Sequence, residues 1–212
     1  MHDELLKKYL QESLPLNKEW VDNLEFYAKE NHVPIMDPVS MHFLQQLIRI
    51  HKPERILEIG TAIGYSALRM QQANPEAFIT TIERDEERYK YAVKVIEEQN
   101  RLNQINVIFG DALEVVKEVV SYKSFDLLFI DAAKSQYQRF FELYSTAVRK
   151  GGLIISDNVL FKGYVANPSN DNQRVSKIAN KINNYNKWLL NNDKFHTTIV
   201  PIGDGIAISI KK

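Results

Sequence analysis

The sequence predicts an α/β fold: a mostly parallel, seven-stranded sheet with one reversed strand near the C-terminus and helices on both faces. Three observations carry this. Five short apolar segments between residues 55 and 156 alternate with helical ones, as parallel strands joined by crossover helices do. Two more strand-like segments follow, joined by Pro201-Ile-Gly-Asp-Gly205, a joint short enough only for an antiparallel hairpin. With 212 residues, 44% of them hydrophobic and 25% charged, the chain can bury one sizeable core. We read residues 1–212 as a single domain, with 1–50 as an N-terminal helical extension and 55–212 as its core.

The elements follow in order. Leu5, Leu6, Tyr9 and Leu10 make a short apolar stripe, and Trp20, Leu24, Tyr27 and Ala28 make a second at helical spacing. Asp37-Pro38 starts a third helix, with Asp as cap and Pro at the first position, and Met41, Leu44, Leu47 and Ile48 carry it towards Pro53. Arg55–Ile59 is the first strand, closed by Gly60 and followed by a helix through Tyr65, Leu68 and Met70. Residues 78–82 form the second strand, and 85–102 form a charged helix with Tyr89, Ala92, Val93 and Ile96 on one face. Ile105–Phe109 and Phe125–Ile130 are strands three and four, separated by a helix over 112–120. A helix over 140–148 leads to strand five at 152–156. Residues 174–190 form a last helix, with Ile178, Ile182, Tyr185 and Leu189 on one face, before the hairpin of 196–200 and 206–210.

Composition excludes several classes of function. No cysteine is present, so a disulfide scaffold, a Cys-ligated metal and a cysteine nucleophile are ruled out. No apolar run approaches the roughly 18 residues of a membrane span. The N-terminal segment mixes Asp3, Glu4, Lys7, Lys8 and Glu12 with isolated leucines and lacks the apolar core of a signal peptide. A cytoplasmic protein with no membrane partner is the expectation. Lys+Arg and Asp+Glu are both 27, so the net charge is zero, yet it is unevenly spread. Residues 162–212 hold eight Lys/Arg against three Asp, a net of +5, which leaves −5 on the first 161.

Ligands of such sheets bind beyond the carboxyl ends of the strands, near the switch in strand order. Strand one ends Glu58-Ile-Gly60-Thr-Ala-Ile-Gly64-Tyr-Ser66. This is neither a dinucleotide fingerprint, since Ala62 takes the middle glycine's place, nor a P-loop, but it can hold a nucleoside ligand that lacks phosphates. Glu83 ends strand two, 23 residues after Gly60, where an acidic residue can bond ribose hydroxyls; it can also simply open a helix. Asp111, after strand three, can cap a helix, contact a purine edge, or both. Strand four ends Asp131-Ala-Ala-Lys134 and strand five ends Asp157-Asn158. Two carboxylates and an amide thus converge. Without a cation Asp131 and Asp157 would repel or share a proton. A hard divalent ion such as Mg²⁺ resolves this, and the absence of His or Cys from this set disfavours zinc.

These motifs resemble the cation-dependent O-methyltransferases, which use S-adenosylmethionine and include the catechol and caffeoyl-CoA O-methyltransferases. The resemblance lies in Glu58-x-Gly60-x-x-x-Gly64-Tyr65-Ser66, Phe129-Ile-Asp131-Ala-Ala-Lys134, Asp157-Asn158-Val159 and Gly203-Asp204-Gly205, and spans about residue 30 to the C-terminus. Within that family it resembles the bacterial tRNA 5-hydroxyuridine methyltransferases, through His32-Val-Pro-Ile-Met36, Ile56 to Ser66 and Asp157-Asn-Val-Leu-Phe-Lys-Gly163. The family's acyl-CoA-recognising segment is not found. The resemblance implies a Rossmann-like class I methyltransferase fold in which 55–212 binds S-adenosylmethionine. It implies that Met36 and Gly60 line the methionine and sulfonium region, Ser66 binds the methionine carboxylate, Glu83 the ribose and Asp111 the adenine. It further implies that Asp131 serves both S-adenosylmethionine and Mg²⁺, that Asp157 and Asn158 complete the metal site, and that Lys134 is the general base.

The expected reaction is methyl transfer to the 5-hydroxyl of 5-hydroxyuridine at the tRNA wobble position, giving 5-methoxyuridine. The alternative acceptor is a small catechol-like phenol, which presents the same pair of neighbouring oxygens to a cation. A nucleotide-binding module without catalysis would have no use for Asp131, Asp157, Asn158 and Lys134 together. For tRNA the expected surface is Lys162 with Arg174, Lys177 and Lys181, the last three on one helix face at i, i+3, i+7. Leu5, Leu6, Leu10, Trp20, Leu24 and Phe26 exceed what the sheet requires and, with the resemblance, point to a homodimer.

Overall fold

The computed structural model describes residues 2–121, 124–167 and 172–212. Three helices, α1 (His2–Glu12), α2 (Glu19–Glu30) and α3 (Pro38–His51), precede the first strand, β1 (Arg55–Ile59). There follow α4 (Tyr65–Ala73), β2 (Phe78–Glu83), α5 (Glu86–Glu98), β3 (Ile105–Phe109), α6 (Val116–Ser121) and β4 (Phe125–Ile130). After a 3-10 turn at Lys134–Gln136 come α7 (Tyr137–Tyr144), β5 (Val148–Ser156), α8 (Gln173–Leu190), β6 (Phe195–Val200) and β7 (Ile206–Lys211). The strands form one sheet in the order β3-β2-β1-β4-β5-β7-β6. The first five pair in parallel, and β7 alone is reversed, lying antiparallel between β5 and β6. This is the expected mostly parallel, seven-stranded architecture with one reversed strand.

Alternation along each strand sends its side chains to two separate cores. Ile56, Ile79, Leu127, Phe129 and Ile155 meet α2, α3, α4 and α5 on one face. Leu57, Ile59, Ile82, Leu128, Ile130 and Ile154 meet α6, α7 and α8 on the other. Val21, Leu24 and Ala28 of α2, with Met41, Leu44 and Ile48 of α3, belong to the first core, so residues 19–51 pack as part of the sheet's own covering. By contrast α1 leaves Leu5, Leu6, Tyr9 and Leu10 exposed.

Some element ends differ from expectation, each for a local reason. The helix expected over 112–120 starts at Val116, because Asp111 Oδ1 accepts the Leu113 N–H at 2.8 Å and holds the chain in a turn. The helix expected to run to 102 stops at Glu98, and Asn100 takes a left-handed φ of 54°. Strand five begins at Val148 rather than 152 and passes through Gly151 and Gly152. A side chain at Gly152 would sit 3.0 Å from the Asp126 carbonyl oxygen, so here glycine permits close strand approach. α8 begins one residue early, at Gln173, because Asn172 Oδ1 accepts from Arg174 N (3.0 Å) and Val175 N (3.2 Å). No described helix is long and apolar enough to cross a membrane.

Strand order reverses between β1 and β4. The chain stays in register past both ends: Asp131 N–H donates to Ile59 O at 3.0 Å, and Asp157 N–H to Ile130 O at 3.1 Å. The residues after β1, β4 and β5 are thereby held side by side at the switch point.

Candidate active site

A cavity of about 400 Å³ opens at that switch point, and all nine expected site residues line it: Met36, Gly60, Ser66, Glu83, Asp111, Asp131, Lys134, Asp157 and Asn158. Its floor depends on Gly60. The residue has a φ of +104°, and a Cβ there would fall 2.1 Å from the Asp131 carbonyl oxygen. Glycine lets β1 turn away while its backbone touches β4's.

Glu83 holds the loop that follows. Its Oε2 accepts the Ala62 N–H at 2.8 Å, and its Oε1 accepts Arg84 N–H at 2.9 Å and Asp85 N–H at 2.8 Å. These bonds fix Ala62 at a φ of 47°, unusual for alanine. Three of roughly four acceptor positions are taken, which leaves one on Oε2, and Glu83 lines the cavity. The helix-start role belongs instead to Asp85, whose Oδ1 accepts Arg88 N–H at 3.0 Å. Asp111 makes its own turn and lies 3.5 Å from Arg84 across the cavity rim.

Ser66 stands in the first turn of α4, where backbone N–H groups lack intrahelical partners and suit an anionic group. Its hydroxyl, however, points away from that role and donates to Glu58. Glu58 is fully buried; its Oε2 accepts Thr81 Oγ1 at 2.6 Å, and Thr81 in turn lies 2.6 Å from Thr61 Oγ1. Glu58 was legible only as part of a motif. The signal that marks it is a charge inside an otherwise apolar strand. Burial pushes its carboxyl up to about 7, against the pull of the Ser66 and Thr81 hydroxyls. The folded chain therefore keeps a proton that the unfolded chain releases near pH 4.5, and stability falls as pH rises from there through 7. The slope integrates to roughly 3 kcal/mol. Glu58→Gln is expected to flatten the melting temperature between pH 5 and 8; a profile as steep as the wild type's would contradict this.

Asp157 is 1% exposed, and its Oδ1 has no hydrogen-bond partner. Its Oδ2 accepts Asn158 Nδ2 at 3.1 Å, and Asn158 Oδ1 accepts from Lys134 Nζ. Asn158 has a left-handed φ of 56°, which turns its amide back towards Asp157 and Lys134. Burial holds the Asp157 carboxyl well above the usual range, with Asp131 adding to the effect and Lys134 opposing it. Burial raises Asp131 as well, again opposed by Lys134. A buried carboxylate oxygen with nothing to bond costs about 1–3 kcal/mol. Among the described residues no three His, Cys, Asp or Glu side chains come close enough to hold a metal by themselves. The donor set is two carboxylates and one amide, all oxygen. That suits a hard cation that keeps waters and accepts substrate oxygens, and the orphaned Asp157 Oδ1 fits such an ion.

The hairpin joint packs against the segment before α3. Gly203 has a φ of 57°, and a Cβ there would meet Asp37 Oδ2 at 2.1 Å. Asp37 caps α3 through Val39 and Ser40, so the joint is seated on the segment that carries Met36. Asp204 accepts the Lys162 N–H and, through its carbonyl, the Leu160 N–H at 2.8 Å, holding the loop after Asn158.

Similarity to known proteins bears on this geometry. The profile of a family described as O-methyltransferase matches residues 12–212. A candidate caffeoyl-CoA O-methyltransferase of Arabidopsis thaliana is 32% identical over 98% of this chain and 94% of its own. The crystal structure of a candidate caffeoyl-CoA O-methyltransferase from Staphylococcus aureus superposes with a TM-score of 0.89 at 37% identity, covering 100% of this chain and 99% of that one. An O-methyltransferase from Bacillus cereus, solved with SAH bound, superposes at 0.84 with 26% identity, over 98% and 97% of the two chains.

Proposed function

The chain belongs to the O-methyltransferase family, with S-adenosylmethionine as methyl donor, and from that premise we propose that it methylates the 5-hydroxyl of 5-hydroxyuridine at the tRNA wobble position in a Mg²⁺-dependent reaction. Its own residues divide the work. Met36 and Gly60 flank the methionine and sulfonium region, the first turn of α4 at Ser66 receives the methionine carboxylate, and Asp111 meets the adenine. The free position on Glu83 Oε2 accepts a ribose hydroxyl. Asp131, Asp157 and Asn158 would hold Mg²⁺, which supplies a lowered pKa and a fixed position to the acceptor hydroxyl. Asp131 also borders the donor, through the backbone contact with Gly60. Lys134 Nζ, held beside the carboxylates by Asn158, is the group placed to take the acceptor proton.

The observation that supports tRNA as the acceptor is the surface of α8. The helix contains no Asp or Glu, exposes Arg174, Lys177 and Lys181 along one face, and packs against the Lys134–Gln136 turn. Exposed Lys162 lies on the loop between the metal residues and α8. Phosphates near the site would meet the cations of this helix face. The second reading, a small catechol-like phenol, draws on the relatives named for caffeoyl-CoA. Label from S-adenosylmethionine is expected to enter tRNA, to stop in excess EDTA and to return with Mg²⁺. Label entering only a catechol would replace the first reading by the second.

Glu83→Ala is expected to weaken S-adenosylmethionine by about 1.5–3 kcal/mol, the worth of a hydrogen bond to a charged group. Unchanged affinity in a calorimetric titration would confine Glu83 to holding the loop. We also propose a homodimer. Leu5 is 63% exposed, Tyr9 66%, Leu16 101% and Phe26 66%, a run of apolar surface that a second copy would cover. Light scattering at micromolar concentration is expected to give twice the 24.6 kDa chain mass, and a monomeric mass would contradict it.

A further inference from the structure

Away from the active site, two adjoining hollows of about 550 and 560 Å³ form one groove between α7, the end of α8 and the start of β5. Lys150, Lys187, Lys194, Lys211 and Lys212 line it, with the indole of Trp188 between them. Lys211 is built into the floor, donating to Ser145 O at 2.8 Å and Val148 O at 2.7 Å. The other four lysines are exposed, and among the described residues none of them makes an ion pair. Two carboxylates, Glu142 and Asp193, also line the groove, yet neither neutralises a lysine, and Glu142 accepts from Gln138 Nε2 at 2.9 Å instead. Trp188 is held rigidly, edge-on to Phe141 at 5.2 Å and stacked on Tyr185 at 6.1 Å.

The groove lies at the end of α8 away from Arg174, where Lys187 projects from a different flank of the helix than Arg174, Lys177 and Lys181. From Arg174 to Lys187 the helix rises about 20 Å, and Lys150 lies about 20 Å along β5 from Asp157. Asn186, next to Lys187, donates to Val159 O at 2.8 Å and ties this end of the helix to the loop after the candidate metal residues. We propose that the groove is a second RNA-binding site, taking backbone phosphates of a tRNA stem some 20 Å from the nucleotide being methylated. Unpaired lysines on a concave surface match closely spaced phosphates, and the fixed indole offers a face to a ribose or an unpaired base. The proposal rests on the tRNA reading above.

The test is binding of a labelled RNA hairpin by fluorescence anisotropy across a salt series, with the full chain. One variant replaces the groove lysines: Lys150→Ala, Lys187→Ala, Lys194→Ala and Lys212→Ala together. A charge-matched control replaces four exposed lysines elsewhere: Lys7→Ala, Lys8→Ala, Lys29→Ala and Lys117→Ala. The groove variant is expected to bind at least tenfold more weakly, with a salt slope shallower by roughly 2–4, while the control binds like the wild type. Equal loss in both variants, no loss in the groove variant, or competition by polyglutamate as strong as by RNA would each overturn the proposal. Methylation is read separately. RNA held in the groove by a protein that methylates only phenols would leave this site standing and remove the tRNA reading.

Discussion

Gly60→Ala is expected to destabilise the protein by about 2–5 kcal/mol and to abolish measurable S-adenosylmethionine binding. Two costs add. An alanine at a φ of +104° is strained by at least the roughly 1–2 kcal/mol of a left-handed backbone. Its methyl group would also lie 2.1 Å from the Asp131 carbonyl oxygen, so β1 and β4 must separate where they meet, an overpacking cost of about 1–3 kcal/mol. For a chain of this length, that loss lowers the melting temperature by roughly 5–15 °C. The separation moves Asp131 relative to Met36, so donor and metal residues lose their alignment together. Calorimetric melting and a titration with S-adenosylmethionine check both effects. An unchanged melting temperature with intact affinity would show that the strand ends are not in the contact described.

The second large effect is at Asp157. Asp157→Ala is expected to reduce turnover by roughly 10²–10⁴-fold, the several kcal/mol that a Lewis acid contributes, while S-adenosylmethionine affinity stays within about twofold. Excess EDTA should do the same to the wild type. Asp157→Asn separates this from a folding defect. Burial and Asp131 hold the wild-type carboxyl far above its ordinary range, so without metal the folded chain loses stability as pH rises beyond that range. The amide carries no such charge. In EDTA at pH 8 the Asn variant should therefore melt higher than the wild type, and Mg²⁺ should raise only the wild type. Full turnover in the Ala variant, or equal response of both proteins to Mg²⁺, would remove the cation from the account.

Much of this was legible in the sequence because strand ends are positions that topology alone brings together. Once five apolar segments alternate with helices, whatever follows β1, β2, β4 and β5 must line one edge, and Gly60, Glu83, Asp131, Lys134, Asp157 and Asn158 do so. The reversed β7 was equally legible, since only a hairpin fits the short joint before it. Less visible were roles set by contacts between distant segments. Glu83 reads as a ribose ligand by its spacing, yet its bonds to Ala62, Arg84 and Asp85 also build the loop. Ser66 reads as a hydroxyl for the ligand, but the buried Glu58 eight residues earlier accepts a hydrogen bond from that hydroxyl. Gly203 lacks a side chain because Asp37, far off in sequence, occupies the space. The packing of α2 and α3 into the sheet's first core was not legible, since stripes such as Trp20, Leu24 and Tyr27 specify a buried face without naming what buries it.

The most direct measurement is mass spectrometry of the nucleosides from tRNA that carries 5-hydroxyuridine, after incubation with the protein, S-adenosylmethionine and Mg²⁺. The account predicts conversion of 5-hydroxyuridine to 5-methoxyuridine, with S-adenosylhomocysteine formed in equal amount and neither product in EDTA. Undiminished 5-hydroxyuridine, under conditions where the same preparation methylates a catechol, would contradict it.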